Sequence, residues 1–568
     1  MEKRNCQNCK KDFVVEGEDF NFYEKIKVPP PTWCPPCRMI RRSIWRNTRS
    51  LYKRECNLCK KSLISMYKDD GSLVCCTECL NGLYYDAFQY GLTYDFKQTF
   101  FQQVMNLWKK VPRHYAYHTG NIINSEYTNY SADNKNAYLS FSVIGCEDVM
   151  YSDTIDYSKN SLDCYTVQKV NNCSYNVDCE NNFNVHYAVK SKDCLDSYFI
   201  FDCVNCSNCY SSSNLRNQKY FFKNKKLSKE DYFTTLAQYE LNKHSVLEKN
   251  IEEFDNLIKN DSIHRSVQVF NSVNVVGNYI SNSKNIFNSF NIKKSENIRY
   301  SCRVLDSKDS YDHQGLADGE LNYETVAASF GTFKDFFCYI TLNSRECEYS
   351  GLLKNCSNCF GCFGLINAQY CILNKQYSKE EYADMVQKIK KHMNDLPYVD
   401  NMNRIYKYGE FFPIEMSPFY INETVCIDYF RFREEESKKY NFPWKEKEKR
   451  DYPTTIKSID LKDNINDVNE DILKEIIECP GGGRSDYQCS TAFRIVQNEL
   501  SFYKEKKLPL PRYCPNCRHY RRLKYLNPFK LWHRKCMKPG CANEFETSYA
   551  PERPEIVYCE KCYQQEVY

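Results

Sequence analysis

The sequence predicts a mostly β protein: tandem β-solenoid arrays, parallel β-helix-like, with capping helices, flanked by a cysteine-rich module at each end. Three observations carry this expectation. Cys-x-x-Cys pairs crowd both ends, short polar clusters recur about every twelve residues through the middle, and both features occur twice in register.

At 568 residues the chain exceeds what one hydrophobic core supports, so several domains are expected. Hydrophobic content of 42% with 15% aromatics argues for folded protein throughout. The division read from the sequence is a cysteine-rich module at 1–82, an array with its helix at 121–258, a second at 262–393, a linker or small packing domain at 394–475, and a second module at 476–568. The fourth segment is charged and Pro-punctuated through Lys445–Arg450. A net charge of +5 is too mild to declare a nucleic-acid binder, which needs charge concentrated on one face. No apolar stretch follows the first charges and no run of about eighteen apolar residues occurs, so neither a signal peptide nor a membrane span is read. A cytoplasmic setting is expected, and there 33 cysteines favour reduced thiols on metal over disulfides.

Near the N-terminus stand the pairs Cys6/Cys9, Cys34/Cys37, Cys56/Cys59 and Cys76/Cys79, with Cys75 unassigned. A Cys-x-x-Cys turn places both sulfurs on one side of a tight loop, and two such turns complete the tetrahedron that Zn²⁺ prefers. The C-terminus supplies Cys479, Cys489, Cys514, Cys517, Cys536, Cys541, Cys559 and Cys562. A shift of 480 superposes Cys9, Phe13, Tyr23, Cys34, Cys37, Arg38, Arg41, Arg42, Arg54 and Cys56 on Cys489, Phe493, Tyr503, Cys514, Cys517, Arg518, Arg521, Arg522, Arg534 and Cys536. In the second copy the first pair is stretched around Pro480-Gly-Gly-Gly483 and the third is Cys536/Cys541, which leaves Cys479 the least regular ligand. About four structural Zn²⁺ per chain are expected.

Cys-x-x-Cys, Phe13, Phe22-Tyr23 and Trp33-Cys-Pro-Pro-Cys-Arg38 resemble the short bacterial "probable zinc-ribbon" domains, at about residues 4–42 and again at 476–522. The resemblance implies a small β-ribbon around zinc, which makes both flanks zinc-ribbon modules. It supports Cys6, Cys9, Cys34 and Cys37 as ligands, with Cys489, Cys514 and Cys517 in the second copy.

A basic segment with interleaved aromatics joins the two sites of each module: Arg38, Arg41, Arg42, Arg46 and Arg54 with Trp45 and Tyr52, then Arg518, Arg521, Arg522 and Arg534 with Tyr525 and Trp532. Arginines beside stacking rings suit a phosphate backbone with unstacked bases, so binding of RNA, DNA or another polyanion is the leading expectation. The competing reading is that these cations neutralise thiolate-rich zinc, which makes the chain a protein-interaction scaffold with a partner on the solenoid faces.

In the middle, clusters such as Ser158-Lys-Asn160, Asn171-Asn172, Ser283-Lys-Asn285 and Ser295-Glu-Asn297 alternate with short β-prone stretches, one turn and one strand per unit. Stacked units make a solenoid. A shift of 150 places Asn205-Cys-Ser-Asn-Cys209 and Ser228-Lys-Glu230 on Asn355-Cys-Ser-Asn-Cys359 and Ser378-Lys-Glu380, so both arrays end alike. Helices capped by Ser228 and Ser378 are expected near 228–258 and 378–393. The triples Cys203/Cys206/Cys209 and Cys356/Cys359/Cys362 read as inward-stacked small residues, with metal as the alternative.

The sequence has no phosphate loop, metalloprotease helix or nucleophile elbow. Asp312 and His313 interrupt the second array and could serve as acid and base in a cleft, as in a solenoid carbohydrate-active enzyme. The reading favoured over that one is a non-enzymatic, zinc-binding scaffold.

Overall fold

A computed structural model describes residues 1–82, 85–446 and 452–568. Residues 447–450 of the charged stretch lie outside the described residues. The chain is mostly β and divides into two compact units, Met1–Ala116 with Val267–Trp444 and Tyr117–Ser266 with Lys445–Tyr568. Each unit therefore joins one cysteine-rich module to one array, and in each case the array is not the module's neighbour in sequence. The segment 394–475, read as one linker or packing domain, is shared between the units.

The arrays obey a rule of three that underlies the twelve-residue recurrence. Tyr130, Asp133, Asn136, Leu139, Ser142, Gly145, Asp148 and Tyr151 all have positive φ, and the series continues at every third residue to Lys223. Four such corners make twelve residues, after which the chain pairs with itself in parallel: Phe141 with Asp153, Asp153 with Tyr165, Tyr165 with Val177, Val177 with Val189. The left-handed conformation costs a non-glycine residue about 1–2 kcal/mol, less for Asn and Asp, which explains why these two crowd the corners. Corner side chains offset the cost by bonding to the corner twelve residues on. Asn124 donates to Asn136 at 3.2 Å, Asn136 to Asp148 at 2.8 Å and Asn181 to Asp193 at 3.0 Å. Elsewhere rings stack, as Tyr175 on Tyr187 at 4.6 Å and Tyr187 on Phe199 at 4.9 Å.

The residue that directly follows each corner points inward: Asn134, Ala137, Ser140, Val143, Cys146, Val149, Ser152, Ile155 and Ser158 are all buried. Ser, Cys, Val, Ala and Asn predominate there in the first array, with Ile155 and Ile200 among them, and Ile and Leu take more of these positions in the second. The serines also satisfy backbone groups that the ladder leaves over. Ser152 Oγ donates to the Met150 carbonyl at 3.0 Å and accepts from the Cys164 amide at 3.0 Å. Cysteine does the same: Cys146 Sγ donates to Ile144 and accepts from the Ser158 amide, both at 3.4 Å.

The second array follows the same rule between Asn282 and Ala327 and again from Gly331 to Leu373, with one four-residue step between Ala327 and Gly331. That step coincides with a register shift in the pairing of Tyr323–Phe330 with the next strand. Each array ends in a short antiparallel turn-back, Phe222 with Lys225 and Ile372 with Lys375, followed by a Ser-capped helix. Ser228 accepts from the Asp231 amide and Ser378 from the Glu381 amide. The helix expected over 228–258 is broken into Lys229–Ala237 and His244–Asn256, because Lys243 bridges to Asn464 and the His244 amide bonds to the Asp463 carbonyl between them. The second runs unbroken, Lys379–Asp395.

Candidate metal centres

Four cysteine tetrads assemble: Cys6, Cys9, Cys34 and Cys37; Cys56, Cys59, Cys76 and Cys79; Cys479, Cys489, Cys514 and Cys517; Cys536, Cys541, Cys559 and Cys562. Within each, the four sulfurs lie within 4.8 Å of one another. All the cysteines are free of disulfides. These sixteen residues are the candidate ligands read from the sequence.

Each tetrad is built from two local devices. The first pair of the N-terminal site sits on the turn between antiparallel strands Glu2–Asn5 and Asp12–Val15, where Lys10 takes φ 61° and its amide returns to the Cys6 carbonyl. The hairpin Tyr52–Glu55 with Ser62–Ser65 repeats this for Cys56, with Lys60 at φ 64°. The second pair opens a helix in every case. Cys34, Cys76, Cys514 and Cys559 are the residues before Pro35–Ser43, Thr77–Leu80, Pro515–Arg522 and Glu560–Val567. Proline follows Cys34 and Cys514 because the first helical position needs no amide donor. The amides of Cys34, Cys76, Cys514 and Cys559 donate to the sulfurs of Cys6, Cys56, Cys479 and Cys536 at 3.2, 3.4, 3.3 and 3.3 Å. Such donors favour thiolate, the form that binds metal.

The spacing suits a tetrahedral ion. Four sulfurs about 2.3 Å from a common Zn²⁺ are separated by about 3.8 Å. Cys9 to Cys34 and Cys59 to Cys76 measure 3.7 Å, Cys56 to Cys79 and Cys479 to Cys517 3.8 Å, and Cys541 to Cys559 4.0 Å. A disulfide needs about 2.05 Å. Cys479, the irregular member, is buried inside its tetrad, and the inserted loop explains how: a Cβ on Gly481 would stand 2.6 Å from Cys517 Sγ and 2.9 Å from Cys489 Sγ. The loop passes over the sulfurs as bare backbone. Cys75 belongs to no tetrad, and burial pushes its thiol up to about 12.

The basic segments are placed differently from the sequence expectation. Arg38, Arg41, Arg42, Arg46, Arg54, Arg518 and Arg522 are buried. Arg38 grips Asp312 with two bonds of 3.0 and 2.9 Å, Arg42 reaches Asp312 at 2.8 Å and Glu324 at 3.1 Å, and Arg41 bridges Glu324 at 2.9 Å and Glu410 at 2.7 Å. In the second unit Arg518 and Arg522 share Asp163 at 2.7 and 2.5 Å, and Arg518 also meets Glu499 at 3.2 Å. Arg46 donates to the Ala327 carbonyl and Arg54 to the Lys68 and Ser72 carbonyls. For these seven the phosphate-facing reading is corrected. Their charge is consumed inside the protein, because a buried guanidinium requires a carboxylate or carbonyl partner. Arg521 and Arg534 are partly exposed.

The clusters are two versions of one design. Asp19 and Glu499 are 480 apart and accept from Tyr300 Oη and Tyr151 Oη, each at 2.8 Å. Burial raises the pKa of both carboxyls. Arg42 and Arg522 also donate to the carbonyls of those two tyrosines, at 3.0 and 3.1 Å. Asp163, Glu499, Asp19, Glu324 and Glu410 were not singled out from the sequence. The available signal was that the module shift of 480 carries Asp19 onto Glu499, and that Asp163 and Asp312 are 149 apart, one short of the array shift of 150 because the four-residue step lies beyond Asp312.

Asp312 and His313 do not form an acid and base in a cleft. Asp312 is the arginine counterion, and His313 is buried against Thr325, held neutral by burial that lowers it to about 3. The cysteine triples donate to carbonyls two residues back, Cys203 to Phe201, Cys206 to Val204, Cys356 to Lys354 and Cys359 to Ser357, at 3.3–3.6 Å. They are consecutive inward positions, and neither triple is among the metal-competent groups of the described residues.

No family model and no curated protein matches the chain. A solved structure described as an acetyltransferase from Desulfovibrio desulfuricans G20 aligns at 12% identity over 52% of this chain and 75% of its own, with a TM-score of 0.09, and carries no argument. Among the described residues, no helix is long and apolar enough to cross a membrane.

Proposed function

We propose that the chain is a zinc-held scaffold that presents two β-solenoids to a protein partner. The observation that carries this reading is the docking of each module's arginine helix into carboxylates of an array, Arg38 and Arg42 on Asp312, Arg518 and Arg522 on Asp163. Such a helix acts as a clamp, with Arg38, Arg42, Arg518 and Arg522 turned to carboxylates inside the protein. Bound Zn²⁺ would cross-link hairpin and helix in each tetrad and hold the clamp in shape; that is its whole chemical contribution here. The twelve-residue parallel recurrence and the inward columns of small residues support the solenoid, and the geometry of the sixteen cysteines supports zinc-ribbon-like modules. The reduced thiols suit a cytoplasmic setting.

Metal analysis of purified protein tests the first half: about four zinc per chain supports the reading, and two or fewer, or iron, removes it. Partner capture tests the second half. Capture that survives nuclease treatment supports a protein partner. Binding of RNA or DNA that weakens steeply with salt would restore the polyanion reading, then carried by the exposed Lys524, Lys530 and Lys535.

A further inference from the structure

The two arginine clusters differ around Arg41 and its counterpart Arg521, and the second unit has a cavity there. In the first unit Arg41 is neutralised by two carboxylates, Glu324 and Glu410. The segment carrying Glu410 packs along the module: a Cβ on Gly409 would touch Pro29 at 3.1 Å, Glu410 accepts from the Thr32 amide at 3.3 Å, and Phe412 lies 5.1 Å from Trp45.

Carried into the second unit, Pro29, Thr32, Arg41 and Trp45 become Pro509, Arg512, Arg521 and Tyr525, and Glu324 becomes Tyr175. All five residues line one cavity of about 60 Å³. Here Arg521 has one carboxylate among the described residues, Glu248 at 3.5 Å, which His244 shares at the same distance. Arg512 donates to the carbonyls of Ser458 and Lys462. Arg518, which also lines the cavity, keeps Nε and Nη2 buried without a hydrogen-bond partner among the described residues. Its counterpart Arg38 donates from Nε, Nη1 and Nη2. Buried guanidinium donors strongly favour an acceptor, and a carboxylate meets their fork with two parallel bonds.

We propose that this cavity binds a small monocarboxylate with a short hydrocarbon tail, the carboxylate held by Arg521 and Arg518 and the tail against Tyr175, Tyr187 and Leu510. The ligand supplies in the second unit what Glu324 and Glu410 supply in the first. The volume limits the tail to a few carbons, and the apolar walls discriminate against a fully hydrated anion.

The test titrates full-length protein with butyrate, its neutral amide butyramide and inorganic phosphate, read by calorimetry or ligand-observed NMR. Butyrate is expected to bind at least about tenfold more tightly than butyramide, as a charge-assisted pair of about 1.4 kcal/mol or more requires. Arg521→Gln should lose at least that factor. Tyr175→Glu, which installs the carboxylate of the first unit, should also abolish binding while leaving the thermal midpoint equal or higher. Absence of butyrate binding at millimolar concentration, equal binding of butyramide, or binding unchanged in both variants would overturn the proposal. Tighter binding of phosphate than of butyrate would overturn the ligand class.

Discussion

Arg518 and Asp163 stand 355 residues apart in the chain and 2.7 Å apart in space, and the same contact recurs between Arg38 and Asp312. A buried pair of this kind adds little net stability over an apolar equivalent, yet it is severe to break, since the survivor is a buried charge without a partner. It acts as a register pin between module and array.

Asp163→Asn and Asp312→Asn should therefore each destabilise their own unit by about 3–5 kcal/mol, measured by chemical denaturation. Asparagine keeps the left-handed corner, so the loss reports charge. Combining Asp163→Asn with Arg518→Met and Arg522→Met should recover part of it. No recovery would mean that backbone geometry, not the ion pair, is at stake.

Gly481→Ala places a methyl 2.6 Å from Cys517 Sγ. Loss of the third zinc, or a fall in its affinity of about 10–100-fold in chelator competition, is expected, with the other three retained. Cys479→Ser should give the same stoichiometry. Four zinc per chain in both variants would remove Cys479 from the ligand set.

Cys206→Ser should leave metal content unchanged and cost about 1 kcal/mol or less, because serine makes the same inward hydrogen bonds. Cys206→Leu overfills the interior and should cost about 1–3 kcal/mol. A drop in bound metal in the serine variant would show that the triple is a site after all.

Asp335 faces inward in the second array, where burial raises its carboxyl to about 7. The folded state thus holds a proton that the unfolded chain releases above about pH 4. The sign follows: its contribution is fully present below about pH 4 and is lost as pH rises towards 7. Between pH 5.5 and 8 the wild type should lose roughly 2 kcal/mol relative to Asp335→Asn, compared by urea denaturation of both proteins. Parallel pH profiles would show that Asp335 ionises normally.

Much of this was legible from spacing. Thiolate chemistry forces close pairs, so the positions of Cys6 to Cys79 spell out their own grouping, and Asn-rich corners announce the twelve-residue recurrence. The inward column was harder to read, because Ser, Val, Cys, Ala, Asn and Ile alternate there without a common hydrophobic signature; what they share is the place directly after a corner. The arginines misled for a related reason. Arg41 and Arg42 look like a cationic surface until Glu324 is placed beside them, and a contact spanning more than 280 residues leaves no local trace. Only the paired shifts, 480 for the modules and about 150 for the arrays, connect Asp19 with Glu499 and Asp312 with Asp163.

The alternation of the two units along the chain bears on how the protein is made. Synthesis from the N-terminus delivers a module whose partner array is still to come, then an array whose module comes last. Until the segment Lys445–Tyr568 has left the ribosome, Asp163 and Tyr151 wait without Arg518, and the first array is a half-built object. A premature stop within that last segment would strand an earlier part of the chain, so quality control of the C-terminus is quality control of the middle.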